Sequence, residues 1–124
     1  MGEHRLFRLQ EARALLPEVR RRVEALIETR ADLTELTFDL HRAGSSALGG
    51  IAEMKALQAR FDDMLEWFRG QGIELKGLAP VLIDFPAELD GVSVRLCWLE
   101  GEPALDWYHR SDLGIAGRRR LLPD

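Results

Sequence analysis

Asparagine is missing from this chain of 124 residues, lysine occurs only as Lys55 and Lys76, and Cys97 is the sole cysteine. A lone cysteine excludes an internal disulfide and any zinc site built from thiolates alone. No run of 18 uncharged apolar residues is present, so no membrane-spanning helix is expected, and the first residues carry no apolar stretch of signal-peptide length. These absences predict a cytoplasmic, bacterial-type protein without a membrane partner. The net charge of -4 provides no general positive field, and neither Arg20–Arg22 nor Arg118–Arg120 is interleaved with aromatic residues for base stacking; both points argue against nucleic acid as a partner. No His-Glu-x-x-His motif and no Glu-x-x-His pair suited to a dinuclear centre occurs, and nothing in the sequence calls for a cofactor. What is present suits one globular domain over residues 1–124: hydrophobic residues make up 46% and charged residues 31%, enough to bury a core.

The apolar pattern divides the chain into two halves. From Gln10 to about Arg42, Ala12, Val19, Leu26, Leu33 and Leu40 recur every seventh residue, with Leu16 and Val23 on the flank and Arg30 and Thr37 interrupting it. That spacing predicts a long amphipathic helix packed lengthwise on another helix. Pro17 fits if it begins the main helix after a separate opening turn, or if the helix kinks there. The glycine-rich stretch 43–50 reads as a flexible connector. A second helical run follows through Ile51, Met54, Leu57, Phe61, Met64, Leu65 and Phe68, and stops at Gly70 and Gly72. An antiparallel helical hairpin is expected over about residues 9–70.

Beyond that point the period becomes two. Val92, Val94, Leu96 and Trp98 alternate with Ser93, Arg95 and Cys97, and Asp90-Gly91 is a strong two-residue hairpin turn. Treating Glu100-Gly101 as a second such turn predicts a three-stranded antiparallel meander over about 73–110, with residues 111–124 as a tail. In that register Leu89 faces Val92, Phe85 faces Leu96 and Ile83 faces Trp98. On the other side Leu96 faces Leu105, Val94 faces Trp107 and Val92 faces His109. Asp84, Glu88, Ser93, Arg95, Cys97, Asp106 and Tyr108 fall on the opposite, polar face, with Arg95 paired to Asp106. Pro86 requires an open strand edge. The fold class expected is α+β, with the helical hairpin covering the apolar face of the meander.

Chemistry has few places to sit on this map. Trp98 and Trp107 read as packing residues, and Cys97 as a small half-buried residue without an activating motif. His109, at the end of the apolar face, is either a histidine tied to backbone or a functional group. In the second case Glu102, His109, Asp112 and Arg118 form the candidate cluster. His109 and Asp112 are its candidate metal ligands, His109 a candidate base, and Arg118 an anion clamp.

Four blocks, FRLQEARALLPEVR (7–20), IDFPAELDG (83–91), LCWLEGEPALDWYH (96–109) and DLGIAGR (112–118), resemble an uncharacterised family of small bacterial proteins known only as a domain of unknown function. The resemblance runs almost the full chain. Arg8 stands where such proteins often carry a capping threonine. It implies a bacterial cytosolic protein and places Asp84, Pro86, Trp98, Glu102, His109, Asp112, Gly114 and Arg118 within the family pattern, and it assigns no activity. The long apolar stripe exceeds what a small sheet can cover, so a non-enzymatic, homodimeric interaction or scaffold protein is expected. A small enzyme or metal-binding protein with its site near His109 is the alternative.

Overall fold

Two helices precede five strands in the computed structural model, whose described residues run from 5 to 122. Helix α1 spans Leu9–Ala43 and α2 spans Ile51–Gly70; the strands are β1 (Glu74–Leu78), β2 (Val81–Leu89), β3 (Val92–Leu99), β4 (Trp107–Arg110) and β5 (Arg119–Arg120). The chain forms two compact units, one made of residues up to Val19 together with those from Trp67 onward, the other of Arg20–Glu66.

Helix α1 starts without a side-chain cap from Arg8. Instead Glu11 reaches back to accept the Arg8 backbone N–H at 3.2 Å, which is the glutamate half of a capping box. Pro17 neither begins the helix nor separates an opening turn from it; it lies inside one continuous helix. The proline forgoes one backbone bond, and the burial of Leu16 and Val19 on either side of it holds the turn. The buried positions of α1 are Ala12, Leu16, Val19, Val23, Leu26, Thr29 and Leu36. Where Arg30 and Thr37 break the seven-residue pattern, the stripe moves back one residue to Thr29 and Leu36.

The Arg20–Glu66 unit is a helical hairpin. Its connector is hydrogen-bonded: the Ser46 hydroxyl donates to Asp39 at 2.7 Å, and the Gly50 N–H donates to Glu53 at 2.7 Å at the start of α2.

The other unit carries the sheet, whose strand order is β1-β2-β3-β4-β5 and whose neighbours are all antiparallel. It has five strands, not the three expected. β1 and β5 escaped the sequence reading because each is short and neither alternates cleanly: β1 holds a register irregularity between Leu75 and Gly77, and β5 has two residues. The β2–β3 register is the expected one, with Leu89 opposite Val92, Phe85 opposite Leu96 and Ile83 opposite Trp98. Asp90 and Gly91, both at positive φ (51° and 78°), make the tight turn between them. β1 ends opposite Asp84, so β2 is open beyond it. Pro86 stands at that open edge, and its carbonyl accepts the Phe7 N–H at 2.7 Å.

The β3–β4 register differs. The connection is not a turn at Glu100-Gly101 but the longer loop from Glu100 to Asp106. Glu102 holds it: its carboxylate accepts the Leu99 N–H at 2.8 Å, and its carbonyl accepts the Trp98 indole N–H at 2.9 Å. Leu96 therefore faces Tyr108 rather than Leu105, Cys97 faces Trp107, and Arg95 faces His109. The displacement is odd, so every β4 side chain changes face. Trp107 and His109 leave the apolar side, and Tyr108 joins it. Arg95 does not meet Asp106; it pairs with Glu74 at 2.8 Å. The apolar side holds Ile83, Phe85, Val94, Leu96 and Trp98, buried together with Phe7, Ala12, Leu16, Val19 and Phe68 of the same unit.

Candidate metal centre

Part of the second face of the sheet is shielded from solvent despite its polar residues, while Glu88 and Ser93 on it are exposed. Asp84, Cys97 and His109 are 2%, 0% and 4% exposed. Asp84 on β2 and Cys97 on β3 are direct cross-strand partners, and His109 on β4 lies diagonally from Cys97. Strands two places apart are roughly 10 Å apart. A small thiol on the strand between lets the carboxylate and the imidazole reach over it and meet. The ligating atoms of all three residues lie within 4.8 Å of one another.

Hydrogen bonding fixes the tautomer. His109 Nδ1 is 2.7 Å from the Arg110 carbonyl oxygen, which can only accept, so Nδ1 carries the proton. Nε2 then presents either a lone pair or a second proton to Asp84 Oδ2, 3.3 Å away. That separation exceeds the 2.7–2.9 Å typical of a charge-assisted N–H···O bond. It matches the edge of about 3.3 Å between two ligands held tetrahedrally at 2.0–2.1 Å from one ion. Asp84 Oδ1 is buried without a hydrogen-bond partner, although buried carboxylate oxygens are normally satisfied. Burial pushes the Asp84 carboxyl above its ordinary range, against the opposing pull of His109 and the neighbouring Cys97. Burial, with the Asp84 charge beside it, pushes the Cys97 thiol up to about 12, so free Cys97 is a protonated thiol and not a nucleophile.

Such an arrangement supplies three converging donors of types that suit zinc. The imidazole is already oriented by a backbone carbonyl through its other nitrogen, the usual outer-shell support of a metal-bound histidine. Rotations that bring ligand atoms inward by about 1 Å would close the site around an ion.

The residues singled out from the sequence are distributed differently. Asp112 is exposed and engaged by the Arg110 guanidinium; the carboxylate that meets His109 is Asp84. Glu102 and Arg118 do come together, at 2.7 Å and mostly shielded from solvent. Arg118 also donates to the Cys97 carbonyl at 3.4 Å and lies over the Trp107 ring, 4.8 Å from its centroid. This pair braces the strand end that carries Cys97. The Asp84–Cys97 half of the cluster was present in the β2–β3 register; the misplaced third strand hid His109.

The model of the family described as "Uncharacterized conserved protein (DUF2203)" matches residues 5–121. The chain belongs to that family. All three residues of the buried cluster, and the Glu102–Arg118 pair, fall inside the DUF2203 match. No curated protein and no solved structure matches the chain. Among the described residues, no helix is long and apolar enough to cross a membrane.

Proposed function

We propose that this DUF2203 protein binds one zinc-type divalent ion through Asp84, Cys97 and His109. The observation that carries this reading is the His109 tautomer: with Nδ1–H committed to the Arg110 carbonyl, Nε2 is directed at the buried Asp84 carboxylate. A positive charge between them, a proton or a metal ion, relieves the repulsion. The thiolate and carboxylate charges would neutralise a divalent ion, so the bound centre could be buried without net charge. A reducing bacterial cytoplasm suits a lone cysteine needed as a thiolate. Untagged protein purified without chelator is expected to carry about one equivalent of zinc per chain by elemental analysis. Replacement by cobalt should produce a thiolate-to-cobalt charge-transfer band that Cys97→Ser lacks. Protein that stays metal-free after reconstitution, with no such band, would end the proposal.

A second reading, self-association as a homodimeric interaction protein, is supported by the Arg20–Glu66 unit. Phe38 and Ile51, which flank its connector in sequence, are 59% and 63% exposed, and each offers a large apolar side chain for a second copy to cover. Light scattering across a dilution series is expected to give a dimer mass for the wild type and a monomer mass for Phe38→Asp. A wild-type monomer at micromolar concentration contradicts this reading.

A further inference from the structure

A cleft of about 280 Å³ opens on the second face of the sheet, and Asp84 and His109 line it while Cys97 does not. The thiol therefore lies beneath the other two donors, and the side of the cluster away from it looks into the cleft. An ion held by three protein ligands keeps one tetrahedral position open, and an ion held by these three would have that position towards the cleft that Asp84 and His109 line. Its volume sits at the small end of ligand pockets, so the occupant is the size of a simple metabolite.

The walls indicate the charge of that occupant. Lys76 and Arg95 both line the cleft. Each is paired to the same carboxylate, Glu74, at 3.2 and 2.8 Å. Burial opposes the charge on Glu74, but Arg95 and then Lys76 outweigh it and hold the carboxyl below its ordinary range. Two cations against one anion leave a surplus positive charge, while a divalent ion with Asp84 and thiolate Cys97 contributes none. Lys76 and Arg95 line the same cleft as Asp84 and His109, which places that surplus close to the donors. Arg95 further orders the wall by donating to the Ser111 hydroxyl at 2.6 Å. Leu113 and Ile115 overhang the cleft and remain 48% and 42% exposed, leaving apolar surface for an occupant to cover.

We infer that the cleft admits a small oxyanion-bearing molecule, a carboxylate or a phosphate ester, whose oxygen takes the open metal position beside Lys76. This inference rests on the proposed metal centre. Cobalt-loaded protein is to be titrated with acetate, inorganic phosphate and neutral acetamide while the visible ligand-field bands are followed. Either or both anions should shift those bands saturably, their relative affinities separating carboxylate from phosphate, and acetamide should not. Lys76→Met should bind cobalt with unchanged stoichiometry and bind the effective anion about tenfold more weakly. Cobalt protein that shows its thiolate band but responds to neither anion, or a Lys76→Met variant that binds the anion as the wild type does, overturns the inference and leaves the metal centre standing. Absence of the thiolate band removes both.

Discussion

Replacing His109 with alanine is expected to lower zinc affinity by at least about 100-fold, because even outer-shell partners of a metal are worth 10–100-fold and His109 is proposed as a direct ligand. The imidazole is the one neutral donor of the three, and the Arg110 carbonyl already sets its orientation. Cys97→Ser should weaken binding comparably and shift the preference away from soft ions, since a hydroxyl is a poor substitute for a thiolate. Competition with a chromophoric chelator measures both effects, and circular dichroism of the metal-free variants separates lost ligation from lost fold. Affinity should also rise with pH. Burial pushes the Cys97 thiol up to about 12, so at neutral pH the metal must displace its proton. Each displaced proton makes apparent affinity climb about tenfold per pH unit. Binding that is flat between about pH 6 and 8, or a His109→Ala variant that holds zinc as the wild type does, would contradict the ligand assignment.

Phe85→Ala should be the most damaging single change to the sheet unit. The ring is fully buried on β2 and meets Phe7 edge-on, with centroids 5.3 Å apart. The same edge is bridged by the bond from the Phe7 N–H to the Pro86 carbonyl. Truncation removes the buried area, leaves a cavity and loosens the segment leading into α1. Phenylalanine-to-alanine changes of this kind cost about 3–5 kcal/mol. In a chain of this length that should lower the unfolding midpoint by about 10–20 °C. Val92→Ala on the same sheet should change stability by less than about 0.5 kcal/mol, since Val92 is 48% exposed. Calorimetry on both variants tests the contrast; equal midpoints would mean that Phe85 is not central to this core.

These expectations draw unequally on sequence and structure. The β2–β3 ladder was legible because Asp90-Gly91 permits only a tight turn, and a tight turn sets register without reference to the rest of the molecule. That was enough to put Asp84 opposite Cys97. The second connection was not legible in the same way. Glu100-Gly101 has the composition of a tight turn, yet the chain continues through Pro103 and Leu105 before β4 begins. What lengthens the loop is a set of bonds from Glu102 to Leu99, Trp98 and Arg118. Arg118 comes from beyond β4, and no local pattern announces it.

The sequence by itself determined that two amphipathic helices precede antiparallel strands, and which β2 and β3 residues share a face. Periodicity and turn chemistry are properties of neighbouring residues, so they can be read along the chain. Tertiary structure alone decided that Asp84 and Cys97 are buried on the polar face and that His109 joins them there. Side-chain direction on β4 depends on an odd or even offset set by loop contacts distant in sequence, and a single such offset separates a packing histidine from one that meets Asp84 and Cys97.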